Sequence, residues 1–154
     1  MDHNPDLEDR YRHGACYEMA IALHRRLGLP IEVLTAFRGK HDTLPHPAHA
    51  WVADPDGCLD AGGRHARDDI LDEFLKGRSD RTIQSARITV FPTEADFLAE
   101  LKRLYNDDTS WTNWYLKHLE REVPKALAVV DSYVVPRYLS EKADPETDMV
   151  PDLA

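Results

Sequence analysis

The sequence predicts a small single-domain α+β protein whose strands form an antiparallel sheet. Its 154 residues are enough for one domain with a hydrophobic core. The predicted elements run in the order helix, two or three strands, helix, strand and then several helices, which is typical of the α+β class. Residues 1–142 are predicted to form this domain. Residues 143–154 are rich in Pro and Asp and are predicted to be a disordered tail.

The first strong helix is predicted over residues 15–27. One apolar stripe runs along it at steps of three and four residues: Cys16, Met19, Ala20, Leu23 and Leu27. Gly28 follows the stripe and Pro30 lies two residues beyond, so the helix is predicted to end there. The preceding residues 1–13 are polar, and one short helical turn is predicted near residues 7–11.

A strand and a β-hairpin are predicted next. The run Ile31–Phe37 predicts the first strand, and a loop with two prolines follows over residues 39–47. His49–Ala53 predicts the second strand. The string Asp54-Pro55-Asp56-Gly57 has turn residues at the positions that a tight turn favours. The run Cys58–Ala61 is therefore predicted to return beside the second strand until the next two glycines end the hairpin.

The rest of the chain predicts mostly helices. In chain order these elements are a short helix over 68–75, a strand over 86–91, a helix that Thr93 opens and that runs to about residue 105, a helix capped by Asp108 or Thr109, and a last helix over 123–139 that is kinked or ended near Pro136. No internal repeat and no second domain boundary is visible in the sequence.

Composition and charge exclude several classes of protein. The formal net charge is −9, so the long-range field repels nucleic-acid phosphates and anionic lipids and mildly favours cationic substrates or partners. No apolar run is long enough to span a bilayer. The first residues lack the basic start and apolar stretch of a secretory signal. We therefore predict a cytoplasmic protein with no nucleic-acid partner and no membrane partner.

Cys16 is the more informative of the two cysteines. A structural disulfide with Cys58 is not expected in a cytosolic chain. Cys16 lies in the first turn of the predicted helix, just after Gly14-Ala15, where unpaired N–H groups and the helix dipole stabilise an anion. A thiolate at this position is expected to have a lowered pKa and to act as a nucleophile. The same N–H groups could receive the oxyanion of a tetrahedral intermediate.

His49 and Asp60 are the residues expected to activate that thiol. Imidazole is the usual base beside a nucleophilic cysteine, and a third group has to fix its tautomer. If Asp60 lies opposite Trp51 in the hairpin, His49 and Asp60 are diagonal neighbours on one face of the sheet. A one-residue bulge in the turn would point Asp60 to the other face instead. The sequence is compatible with both registers.

Three short strings carry this chemistry in a fixed order. They are Gly14-Ala15-Cys16-Tyr17-Glu18 at a helix start, His49-Ala50-Trp51-Val52 on a strand, and Leu59-Asp60-Ala61-Gly62 on the returning strand. Together they resemble the papain-like cysteine enzymes in their transglutaminase-like arrangement, and the first string is particularly similar to the arylamine N-acetyltransferase form. The resemblance covers residues 11–63. It implies a papain-like/transglutaminase-like core in which a Cys-bearing N-terminal helix packs on a small antiparallel sheet, with extra C-terminal helices.

The resemblance also implies roles for individual residues. Cys16 would be the nucleophile, His49 the general base and Asp60 the group that orients it. We expect no cofactor and no metal. The reaction would be thiol-dependent acyl transfer or amide hydrolysis on a protein, a peptide, or a small amide or thioester. We expect Trp51 and His46 to contact the substrate, and the loop 39–47 to select it.

Two other functions are compatible with the same residues. Cys16 lies on the apolar stripe of its helix, as a buried and unreactive cysteine would. A non-catalytic protein-binding or accessory module on the same fold is therefore the first alternative. The eight histidines make a metal-binding protein the second. Against it, the prolines on both sides of His46 disfavour the helix that would bring His46 and His49 together.

Overall fold

A computed structural model describes residues 3–104 and 109–143 of the chain. The helices are α1 (Pro5–His13), α2 (Cys16–Leu27), α3 (Arg67–Leu75), α4 (Asp80–Ser85), α5 (Glu94–Leu104), α6 (Thr109–Val129) and α7 (Val135–Ala143), with a π-helical segment, Val130–Val134, between the last two. The strands are β1 (Ile31–Ala36), β2 (His46–Asp54), β3 (Gly57–Asp60), β4 (Gly63–His65) and β5 (Arg87–Phe91). None of the helices in the described ranges is long and apolar enough to cross a lipid bilayer.

The strands form one antiparallel sheet in the order β4-β3-β2-β1-β5. The predicted α+β class with a small antiparallel sheet is therefore confirmed. Two tight turns join β2 to β3 and β3 to β4, because Asp54 pairs with Gly57 and Asp60 pairs with Gly63. The strands that carry His49 and Asp60 are thus consecutive neighbours in the sheet.

Helices cover both faces of the sheet. Alternate strand residues such as Val33, Ala50 and Leu59 point into the larger core, which contains α2 and residues of α5, α6 and the π-helical segment. The residues between them point to the opposite face, where Leu34 and Trp51 pack with residues of α3. His49 and Asp60 lie on this second face, because each is two residues along the strand from Trp51 or Cys58.

Strand β2 begins at His46, three residues before the predicted start, so the predicted loop over 39–47 was too long at its end. Leu34 pairs with His49 whereas Thr35 pairs with Pro47, which leaves Ala48 as an extra residue in β2. A bulge is one of the few places where a sheet accepts proline. Pro47 had argued against a strand at this position, but it is compatible with a strand that has a bulge beside it.

The sequence also missed three features of the helices and the sheet edge. Helix α1 is a full helix because Asn4 caps it, with Oδ1 accepting from the Leu7 N–H at 3.2 Å, and Pro5 follows the cap. Helix α4 and strand β4 were not predicted. The glycines at 62 and 63 do not end the hairpin as expected but turn the chain into β4.

The C-terminal helices differ from the prediction in where they begin and break. Helix α6 passes through position 123 and contains Pro124, so no new helix begins at Val123. The π-helical segment ends two residues before Pro136 and contains the carbonyl four residues earlier, with which the proline ring would otherwise clash. The predicted cap at Asp108 lies outside the described residues, and so does the predicted tail from residue 144 onward.

Candidate active site

The hairpin register brings His49 and Asp60 together. Val52 pairs with Leu59 and Ala53 with Cys58, and continuing this register by one residue sets Asp60 opposite Trp51. The turn contains no bulge, and the His49 Nε2 lies 2.7 Å from the Asp60 Oδ2. Of the two registers that the sequence allowed, the structure has the one in which these side chains meet.

Asp60 is buried and accepts four hydrogen bonds. Its Oδ2 accepts from His49 Nε2 at 2.7 Å and from Arg12 Nε at 2.9 Å, and its Oδ1 accepts from the Gly62 N–H at 2.8 Å and from His65 Nε2 at 2.9 Å. Burial alone would raise the pKa of Asp60, but the bonds from the two histidines and the charge of Arg12 outweigh it and hold this pKa far below its usual range. Asp60 is therefore an anion at any pH near neutrality.

His49 is held as a neutral imidazole. Its side chain has no exposed surface, and burial lowers its pKa even though Asp60 partly opposes that effect. Since ionised Asp60 can only accept, Nε2 carries the proton and Nδ1 keeps a lone pair. Within the described residues this Nδ1 is buried and has no hydrogen-bond partner. The ring also stacks on Phe74, with the ring centres 4.1 Å apart.

Cys16 is the first residue of α2, and no side chain caps this helix end. Its side chain is partly exposed and lines a cleft of about 330 Å³. Burial by the surrounding protein raises the pKa of the thiol to about 11, although the N–H groups of Ala50 and of Cys16 itself favour the thiolate. The expected lowering of the Cys16 pKa is therefore wrong for this structure, because desolvation outweighs the helix N-terminus.

Cys16 lies beside the His49–Asp60 pair without being bonded to it. Its sulfur is near the N–H of Ala50, the residue after His49, and the charge of Asp60 acts on it. No hydrogen bond joins it to His49, because Nδ1 has no partner. Ala48 and Phe74 line the cleft, whereas His49 does not. The imidazole thus lies behind the cleft wall on which Cys16 is exposed.

Arg12 and His65 belong to the site, although sequence reasoning did not place them beside Asp60. Arg12 also donates to Glu73 of α3 at 2.9 Å and so links α1 to the site. His65 reaches Asp60 because the second tight turn brings β4 back along β3. A side chain at Gly62 would crowd the site, since a Cβ there would lie 3.0 Å from Arg12 Cδ and 3.2 Å from Asp60 Oδ1. The two adjacent glycines were the signal that could have predicted it.

Glu18, the last residue of the first string, also has a structural partner. It is buried in the first turn of α2, and its Oε1 lies 2.9 Å from His118 Nε2 on α6. The pair joins the Cys-bearing helix to the C-terminal helices. In the described ranges, no group of three or more His, Cys, Asp or Glu side chains could hold a metal ion.

The two predicted substrate contacts differ in position. Trp51 has no exposed surface, and its Nε1 donates to Glu32 Oε1 at 2.8 Å. The expectation that Trp51 contacts substrate is therefore wrong, because the indole is enclosed between the sheet and α3. His46 is half-exposed, 3.6 Å from Asp42, and lines a second cavity that shares Ala48 and Phe74 with the Cys16 cleft. Its contact with substrate stays a prediction.

Replacing Trp51 by phenylalanine is expected to lower the free energy of unfolding by about 1–3 kcal/mol, because the change leaves a small cavity and removes a buried hydrogen bond. Chemical denaturation followed by circular dichroism measures this loss. Trp114→Phe is the matched control, since Trp114 is 56% exposed and its replacement should change stability by no more than about 0.5 kcal/mol. Equal effects of the two substitutions would contradict the structural role of Trp51.

Comparisons of the chain with known proteins found no relative. Neither a family model, nor a curated protein, nor a solved structure matches the chain. The resemblance to papain-like enzymes of the transglutaminase-like arrangement therefore depends only on residues of this chain.

Proposed function

We propose that this protein is a thiol-dependent acyl-transfer or amide-hydrolysing enzyme with a papain-like, transglutaminase-like core. Cys16 acts as nucleophile, His49 as general base and Asp60 as the residue that orients His49. The observation that carries the proposal is the His49 ring. Its Nε2 is hydrogen-bonded to Asp60 at 2.7 Å, while its buried Nδ1 has no partner among the described residues. The N–H of the next residue, Ala50, lies beside the Cys16 sulfur.

An unpaired buried nitrogen is costly, so it needs an explanation. Four donors on Asp60 ensure that the carboxylate stays ionised and that the His49 proton stays on Nε2. Nδ1 is then always an acceptor, and burial keeps it unprotonated at neutral pH. A general base requires these two properties.

The raised pKa of Cys16 favours general-base catalysis over a preformed thiolate–imidazolium pair. The thiol proton passes to His49 Nδ1 while the sulfur forms a bond to the carbonyl carbon and the carbonyl electron pair moves to oxygen. Collapse of this intermediate breaks the bond to the leaving group, which takes the proton from His49. The product is a thioester at Cys16. The sulfur has to come within hydrogen-bond reach of Nδ1 when substrate binds, since many catalytic bonds tighten only then.

The second half-reaction returns the enzyme to its starting state. Water or an amine attacks the thioester carbonyl and gives a proton to His49. The sulfur then leaves and recovers that proton. Water as acceptor gives hydrolysis, and an amine gives acyl transfer. The substrate is a protein, a peptide, or a small amide or thioester, because all of them share the first step.

A non-catalytic binding module remains the second candidate, and two observations favour it. The Cys16 pKa is raised to about 11, and no hydrogen bond joins Cys16 to His49 in this structure. A protein that uses its cleft only to bind a partner would need neither a reactive thiol nor a hydrogen bond between Cys16 and His49.

Acylation by p-nitrophenyl acetate distinguishes the two candidates. We expect the wild-type protein to gain an acetyl group on Cys16, identified by peptide mass spectrometry, with release of nitrophenolate. Cys58 is an internal control, because it is fully buried and its pKa is also raised to about 11 by burial. Cys16→Ser should lose the adduct and the release. If Cys16 acquires no more label than Cys58, the enzyme proposal is wrong and the binding module takes its place.

A further inference from the structure

The cleft that contains Cys16 is lined by arginines, although the whole protein is acidic. The chain carries a formal net charge of −9, yet Arg12, Arg38 and Arg78 line the cleft together with Cys16. Among the described residues, no Asp or Glu lines it. Arg12 is paired with Asp60, and the charges of Asp60 and Glu18 also act on the Cys16 thiol. A positive field for a ligand in the cleft therefore comes from Arg38 and Arg78, because nearby charges dominate over distant ones.

We propose that the substrate of this site carries an anionic group, a carboxylate or a phosphate, which Arg38 and Arg78 bind beside Cys16. This inference rests on the proposed function, since it assigns the substrate class of the same cleft. It also reverses the expectation from net charge, which favoured cationic substrates.

Arg12 is not available for such a ligand. Its guanidinium already donates to Asp60 and to Glu73, each at 2.9 Å. Arg38 and Arg78 differ from it, because neither forms an ion pair with a carboxylate within the described residues. The Arg38 side chain donates only to the Pro47 carbonyl, at 2.8 Å, which holds it at the edge of the cleft. Both side chains therefore keep N–H donors for a ligand.

The position of the two arginines connects the cleft to its surroundings. Both also line the cavity beside His46 and a further cavity next to Lys40 and Arg81. Arg81 directs its guanidinium to the carbonyls of Gly39 and Asp42, so it fixes the loop that carries Arg38. Planar guanidinium groups bind carboxylate and phosphate oxygens in pairs. An anion held between Arg38 and Arg78 would leave the rest of the substrate pointing toward Cys16.

Charged thiol reagents measure this field without any knowledge of the substrate. The rates at which sulfonatoethyl and trimethylammonioethyl methanethiosulfonate modify Cys16 are compared by mass spectrometry, with methyl methanethiosulfonate as the neutral reagent. We expect the anionic-to-cationic rate ratio in wild type to exceed that of a small neutral thiol roughly tenfold. Arg38→Gln with Arg78→Gln should remove most of this preference.

The matched control removes two positive charges elsewhere. Arg25→Gln with Arg26→Gln acts at the opposite end of α2 from Cys16 and should leave the ratio nearly unchanged. Raising the salt concentration should reduce the wild-type ratio without any substitution. Protection of Cys16 by inorganic phosphate or by acetate, at equal ionic strength, distinguishes a phosphate ligand from a carboxylate ligand.

The outcomes separate this inference from the proposed function. If Cys16 reacts with the neutral reagent but the double variant keeps the wild-type ratio, the anion site is wrong and the enzyme proposal is unaffected. The same conclusion follows if the anionic-to-cationic rate ratio of wild-type Cys16 is no larger than that of the small thiol. If Cys16 resists all three reagents, both proposals are wrong.

Discussion

Replacing His49 by glutamine is expected to slow acetylation of Cys16 by p-nitrophenyl acetate about 10²–10⁴-fold, the usual contribution of a general base. The raised Cys16 pKa makes this dependence strong, because little thiolate exists at neutral pH without a base. Glutamine can still donate a hydrogen bond to Asp60, so the substitution removes the Nδ1 acceptor while it keeps a partner for the buried carboxylate. Nitrophenolate release and the Cys16 adduct are both measured.

His24→Gln is the control for this substitution. His24 lies near the other end of α2, where its Nδ1 is 2.7 Å from the Leu29 carbonyl oxygen, and its replacement should not change the acetylation rate. The pH profile gives a second check. Since the His49 pKa is lowered, the wild-type rate should fall only below about pH 6.5, the ordinary histidine value. Equal rates in wild type and His49→Gln would show that His49 is not the base.

Replacing Asp60 by asparagine is expected to lower the free energy of unfolding by about 3–5 kcal/mol, the usual cost of breaking a buried charge pair. Arg12 would lose its buried counter-ion, and an amide cannot accept all the bonds that the carboxylate accepts. For a domain of this length the loss corresponds to a fall in Tm of roughly 6–20 °C. Urea denaturation and thermal unfolding measure the two quantities.

Asp56→Asn is the matched control, because Asp56 lies in the neighbouring turn with its side chain 73% exposed. Its replacement should change stability by no more than about 0.5 kcal/mol. If Asp60→Asn is equally mild, Asp60 does not hold the site together.

Lowering the pH should reveal the contribution of Asp60 to the stability of the wild-type protein. The Asp60 pKa is lower in the folded protein than in the unfolded chain, so its stabilising contribution is complete above the unfolded value of about 3.9 and is lost as pH falls toward the folded value. His49 also has a lowered pKa, and the unfolded chain therefore binds a proton first as pH falls below about 6.5. Both effects destabilise the protein in acid. The stability difference between wild type and Asp60→Asn should accordingly shrink as pH falls below about 4.

Local patterns were sufficient for the elements that carry the candidate site. Helix α2 begins at Cys16 and ends where predicted, with Gly28 in the left-handed conformation at φ 72°. The Pro-Asp-Gly turn was also predicted, because turn chemistry acts within four residues. Given that turn, the contact between His49 and Asp60 needed only the absence of a bulge.

Local patterns failed where neighbours in sequence did not decide the conformation. Pro47 belongs to β2 only because the sheet has a bulge at Ala48, and a bulge depends on the pairing partner. Helix α6 continues through Pro124 because packing against α2 overrides a local helix breaker.

The sequence by itself determined the α+β class, the place of Cys16 in the first turn of α2 and the chain order of Cys16, His49 and Asp60. Only the tertiary structure decided that Trp51 is enclosed, that Arg12 and His65 both reach Asp60, that the Cys16 pKa is raised, and that Arg38 and Arg78 share the cleft. The physical reason is common to these features. Desolvation and charge interactions depend on distances in space, and Arg12, Arg38, Asp60 and Arg78 come from separate parts of the chain.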